Sequence, residues 1–220
     1  WKVAPALACG NCVILKPSEE TSSTAVLLAE VMDEVGVPKG VFNLILGRGK
    51  HIGDYLTSQQ NVDAVTFTGA SATGQHIMRA VADGVKPISF ELGGKNSAVV
   101  FADADLKKAV AGVARSTFTN CGQVCLCTEK VFVHRDIADA FIAQLKQQAQ
   151  AIKIGYPKEK DVLLGPLVSK QHQEKVLSFY QLAKDEGANF IVGGGVPKFN
   201  DERDQGCYIE PTIISGLADD

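Results

Sequence analysis

Residues 1–90 alternate short β-branched runs with helical patterns, and this alternation restricts the fold more than any other feature. "CVIL" (12–15), "VFNLIL" (41–46) and "AVTFT" (64–68) read as buried strands. Thr21 and Ser22 stand where a helix cap belongs, ahead of a helix predicted to turn Val26, Leu27, Val31 and Val35 inward. Gly36 followed by Pro38 stops it. A short helical pattern covers 52–56, and a further helix places Ile77, Met78 and Val81 on one face before the strand "PISFEL". Strands separated by helices cannot be joined as hairpins, so the expected class is α/β, with a Rossmann-like parallel sheet covered by helices.

The pattern continues with "SAVVF" (97–101), then a helix from about Asp105 carrying Leu106, Val110 and Val113. A cysteine-rich loop leads to the strand "KVFVH" (130–134) and a helix with Ile137, Phe141, Leu145 and Ile152. A last helix around Val176, Tyr180 and Ala183 precedes "NFIVGGG", a polar loop through Arg203 and the closing run "YIEPTII". Without an internal repeat or low-complexity segment, the simplest division is a domain over 1–90 and a second α/β domain over 91–220.

Composition narrows the partners. A net charge of -3 and the absence of a long Lys/Arg run argue against nucleic acid or an anionic membrane, leaving a small molecule as the expected ligand. No apolar run approaches the roughly 20 residues of a membrane span, and the N-terminus lacks the charged start and cleavage site of a signal peptide, so a cytoplasmic location is expected. The chain begins "WKVAPALACGN", without an initiator Met and with an apolar stretch under way, as a chain does when its start has been removed. In such a setting the six cysteines should stay reduced. Cys9 with Cys12, and Cys121 with Cys125 and Cys127, match no zinc spacing, and the four histidines are scattered, so no metal is expected.

Four stretches can carry chemistry. In "FTGASATGQ", Gly69, Ala70 and Gly74 span a strand-to-helix turn whose free amides could receive a phosphate, or which could be a plain turn; no GK[ST] follows. "LKPSEE" places Lys16, Ser18 and Glu19 past a parallel strand, where ribose hydroxyls could be bound or a solvated loop could begin a helix. "NCGQVCLC" holds three thiols in seven residues, any of which could be a nucleophile or a buried, inert cysteine. In "ELGGKN", Glu91 ends a strand before two glycines, either as a general base or as a cap or partner of Lys95.

Taken in order, "KPSE", "FTG" with its downstream glycine, "ELGGK" and "GQVC" resemble the aldehyde dehydrogenase superfamily, and the resemblance runs from "APALACGN" to "GCYIEPTI". It implies that Cys125 is the nucleophile and Glu91 the general base. It implies an NAD site in which Lys16, Ser18 and Glu19 hold the adenosine ribose and Gly69, Ala70 and Gly74 lie beside the pyrophosphate. Leu92 and Gly93 would then sit near the nicotinamide. NAD is preferred because the Glu19 carboxylate would repel a 2′-phosphate, with NADP possible. "VCLCTEKVFV" is similar to the branch that oxidises hydroxy- or aminomuconic semialdehydes; a betaine-type or general aliphatic aldehyde enzyme is the alternative. A noncatalytic nucleotide-binding or structural module is the alternative from another class. Family members are roughly twice this length and form homodimers or homotetramers. Their oxyanion amide would precede Trp1 and a nicotinamide-ribose motif would follow Asp220, which implies an internal piece that is inactive alone.

Overall fold

The β-branched runs become strands and the periodic segments helices in a computed structural model that describes residues 1–217. The chain divides into two units, Trp1–Gly93 and Gly94–Asp220. In the first, helix α1 (Val3–Ala8) leads to β1 (Val13–Leu15), α2 (Ser22–Glu34), β2 (Phe42–Leu44) and α3 (Gly49–Ser58). Then come β3 (Val65–Thr68), α4 (Ser71–Ala82) and β4 (Ile88–Glu91). β1 pairs in parallel with β2, and β3 with β4, setting Val13 opposite Phe42 and Thr68 opposite Glu91. Each pair closes a strand–helix–strand crossover, through α2 and through α4, as parallel pairing requires.

The second unit runs β5 (Ser97–Val100), α5 (Leu106–Phe118), β6 (Lys130–Val133) and α6 (Arg135–Gln150). It continues with α7 (Lys170–Asp185), β7 (Asn189–Val192) and β8 (Ile213–Ser215). β5 and β6 are parallel around α5, whereas β7 and β8 are antiparallel. Asp105 caps α5, its carboxylate accepting from the Lys108 N–H at 3.1 Å. From α5, Val110, Val113 and Phe118 turn inward, and from α6 the stripe Phe141, Leu145 and Ala149, spaced four apart; with Val100 they build the core. Phe141 is 1% exposed, so Phe141→Ala is expected to destabilise the protein by about 3–5 kcal/mol through lost burial and the cavity left behind. Urea unfolding measures this, and a loss below about 1 kcal/mol would contradict the assignment of Phe141 to the core.

Several expectations are corrected. Leu27 and Val31 on α2 are 59% and 51% exposed, and Val35, its C-cap, is 69% exposed, while Ala25 is the buried residue of the helix. The helix is apolar on more than one side, so periodicity alone could not select its buried face. On α4, Gly74 and Val81 are buried with Ile77 half-buried, but Met78 is exposed. Thr21 makes no side-chain cap; Ser18 instead caps a 3-10 turn (Glu19–Thr21) by accepting from the Glu20 N–H, and Ser22 Oγ donates back to the Ser18 and Glu19 carbonyls. Ile152 lies beyond the end of α6 yet still packs on the core. In "YIEPTII" only the end is a strand, since Pro211 has no N–H to give a ladder. Gly36, at φ 78°, ends α2 as expected, with the Val37 N–H reaching back to the Met32 carbonyl at 3.0 Å.

Candidate active site

At the C-terminal end of β1, the half-buried Lys16 donates through Nζ to the carbonyls of Pro17 and, at 3.2 Å, of Gly47. The lysine therefore ties the β1 and β2 ends together while its ammonium stays at their rim. Ser18 and Glu19 follow at the surface, Ser18 as the cap of the 3-10 turn and Glu19 as its first residue, with an exposed carboxylate able to accept from hydroxyls.

At the C-terminal end of β3, the Gly69 N–H donates to the Glu91 carbonyl at 3.0 Å, so the turn into α4 is bonded to the end of β4. A Cβ on Gly69 would fall 2.5 Å from the Phe67 ring. Ala70 is the N-cap of α4 and has no side-chain oxygen to offer, which leaves the first-turn amides and the positive end of the helix dipole for an anion. Gly74, expected to admit a ligand, is buried inside α4, where a Cβ would lie 2.8 Å from Leu92; its glycine serves close helix–strand packing. Gly93 and Gly94 differ, since the nearest atoms to a Cβ there would be Ser71 Oγ at 3.9 Å and Asn96 Oδ1 at 3.8 Å, ordinary contact distances. Space beside these two glycines and free amides at the α4 start suit a dinucleotide. Glu91 itself is exposed at the end of β4. Lys95, its alternative partner, pairs with Glu129 at 3.2 Å.

In the second unit the thiol-rich loop begins with three consecutive left-handed residues, Asn120 (φ 51°), Cys121 (φ 58°) and Gly122 (φ 71°). Such a backbone is costly for the two non-glycine residues. The turn is closed by the Gln123 N–H donating to the Asn120 carbonyl at 3.1 Å. Cys121 is half-buried and its thiol points to the Gly165 carbonyl at 3.4 Å; burial pushes that thiol above its ordinary range. Cys127 is 4% exposed and donates to the Thr119 carbonyl at 3.5 Å. Cys125 alone of the three is exposed. Reading the sequence missed Asn96, whose side-chain amide donates to the carbonyls of Cys125 at 2.6 Å and Cys127 at 3.0 Å. Among the described residues no cluster of three or more His, Cys, Asp or Glu could hold a metal, and no helix is long and apolar enough to cross a membrane.

Comparison with known proteins adds to this geometry. The model of the aldehyde dehydrogenase family matches residues 1–220. A 2-aminomuconic 6-semialdehyde dehydrogenase of a Pseudomonas species is 57% identical over the whole chain, which spans 45% of that protein. A 2-hydroxymuconic semialdehyde dehydrogenase of Pseudomonas putida is 56% identical over the whole chain, which spans 46% of it. A crystal structure of betaine aldehyde dehydrogenase from Staphylococcus aureus in complex with NAD+ superposes on 97% of this chain, and 42% of its own, with a TM-score of 0.93 at 42% identity.

Proposed function

The chain belongs to the aldehyde dehydrogenase family, and on that premise we propose that the protein carrying it oxidises an aldehyde to a carboxylic acid with NAD. The chain spans under half the length of the relatives it matches, so the proposal concerns the whole protein. The observation that carries it is the exposure of Cys125 in a loop where both neighbouring thiols are occupied with backbone carbonyls.

The Cys125 thiolate adds to the aldehyde carbon and forms a thiohemiacetal, whose oxyanion the Cys125 backbone N–H helps to hold. NAD, when bound, would supply the acceptor for the hydride lost from the former aldehyde carbon, which would leave a thioester on Cys125. Glu91 takes a proton from water, the hydroxide oxygen bonds to the thioester carbon, and the C–S bond breaks to give the acid and the free thiolate. Lys16, Ser18 and Glu19 bind the adenosine ribose, while Gly69, Ala70 and the α4 start receive the pyrophosphate. Leu92 and Gly93 line the nicotinamide end. The first unit, Trp1–Gly93, is thus the proposed cofactor domain and the second the proposed catalytic domain, the division falling three residues beyond the expected 90/91 boundary, and a homodimer or homotetramer in the cytoplasm is the proposed state of the whole protein.

A muconic semialdehyde is the proposed substrate, supported by identities of 57% and 56% to the two semialdehyde enzymes against 42% to the betaine aldehyde enzyme. The two substrate classes differ in charge, an anionic conjugated aldehyde against a cationic one. In the whole protein, NADH formation should be faster with 2-hydroxymuconic semialdehyde than with betaine aldehyde or a simple aliphatic aldehyde. Faster turnover of betaine aldehyde would reverse the substrate assignment, and NAD binding without turnover of any aldehyde would identify a noncatalytic module. Initial rates should also favour NAD over NADP by about tenfold or more, because the exposed Glu19 carboxylate accepts from a 2′-hydroxyl and repels a 2′-phosphate. A clear NADP preference would remove Glu19 from the ribose site.

A further inference from the structure

We propose that Asn96 is a positioning residue for the nucleophile, an inference that rests on Cys125 acting as proposed above. One side-chain nitrogen carries two hydrogens, and each meets a carbonyl of the thiol loop, Cys125 at 2.6 Å and Cys127 at 3.0 Å. The opposite orientation of the amide would press its oxygen against two carbonyl oxygens, so the network itself assigns the nitrogen.

Asn96 also holds the chain beyond the loop. Its backbone carbonyl accepts from the N–H groups of Glu129 and Lys130 at 2.9 and 3.1 Å, and Lys95 pairs with Glu129 at 3.2 Å. The loop is therefore held from its reactive residue to the start of β6 by a segment that directly follows the two glycines. Fixing the carbonyl of Cys125 sets the peptide plane next to the reactive Cα, and so the direction in which its Cβ and sulfur project. Fixing the carbonyl of Cys127 holds the return of the chain, so the thiol cannot swing with the loop as a whole.

The restraint matters because the preceding turn is unfavourable on its own. Asn120 and Cys121 occupy left-handed backbone that non-glycine residues adopt at a cost, and the loop would relax without partners outside it. Neither of the two donors in Asn96 can be supplied by a carboxylate, which only accepts when ionised.

The test compares the whole protein with its Asn96→Ala and Asn96→Asp variants. Asp has the same shape as Asn and separates loss of the donors from loss of packing. Both variants should lower kcat by about 10- to 100-fold with KM for aldehyde and NAD changed less than about threefold, the pattern of a misaimed reacting group. Amide hydrogen exchange over 124–128 should accelerate in both, with exchange in α6 unchanged. A kcat within about twofold of the unsubstituted protein, or unchanged exchange in the loop, would overturn the proposal. A loss confined to KM would overturn it as well, since that is lost binding. If the unsubstituted protein turns over no aldehyde, the functional reading fails first, and it fails separately, since the Asn96 comparison starts from an active protein.

Discussion

Cys125→Ala is expected to abolish aldehyde oxidation in the whole protein, lowering kcat by at least about 10⁴-fold, because the covalent route has no other entry. The thiols nearby cannot substitute. Cys127 is buried and donates to the Thr119 carbonyl, and Cys121 donates to the Gly165 carbonyl with its pKa raised by burial. Raising a thiol's pKa lowers the fraction present as thiolate at neutral pH, and thiolate is the reactive form. NAD binding should survive the substitution, since the proposed cofactor residues lie in the other unit. Titration of NAD by fluorescence beside the NADH assay reads both quantities. Turnover within about tenfold of the unsubstituted protein would remove Cys125 from the mechanism. Cys127→Ser, by contrast, places a hydroxyl where a sulfur was buried and should affect stability more than the chemical step.

Glu91→Gln separates the two halves of the reaction. Acylation needs the thiol and the hydride acceptor, while release of the acid needs a base for water. The variant should therefore produce a rapid burst of NADH close to one per active site, followed by a steady rate reduced by about 10²–10⁴-fold. Stopped-flow absorbance reads the burst, and intact mass should show the acyl group retained on Cys125. A steady rate equal to that of the unsubstituted protein, with no acyl adduct, would leave Glu91 as a strand-end residue without a catalytic part. The lysine four residues on pairs with Glu129 at 3.2 Å.

The sequence disclosed elements more readily than faces and long-range contacts. Strands β1 to β6 were visible because β-branched runs are punctuated by Gly, Pro and polar residues, and α6 because Phe141 and Leu145 stand on one stripe. On α2, apolar residues at 25, 26, 27, 28 and 31 offer more than one inward face, and only the fold turns Ala25 in while leaving Leu27 out. The family motifs singled out Cys125 and Glu91, but not the reason Cys121 and Cys127 differ from Cys125, which depends on the carbonyls of Gly165 and Thr119. Asn96 had no mark of its own. Its partners are 29 and 31 residues away, and a side-chain amide in a strand entry looks like any polar residue until the two carbonyls are in view.

Gly74, buried inside α4, has a consequence for its neighbours. A methyl group there would lie 2.8 Å from Leu92, which directly follows Glu91 in the chain. The missing atom works as a gauge block: the depth at which α4 sits against the end of β4 is set by what residue 74 lacks. An alanine would force the end of the Leu92 side chain to move aside. Tolerance at position 74 is thus limited by how closely α4 packs on the residue that follows β4.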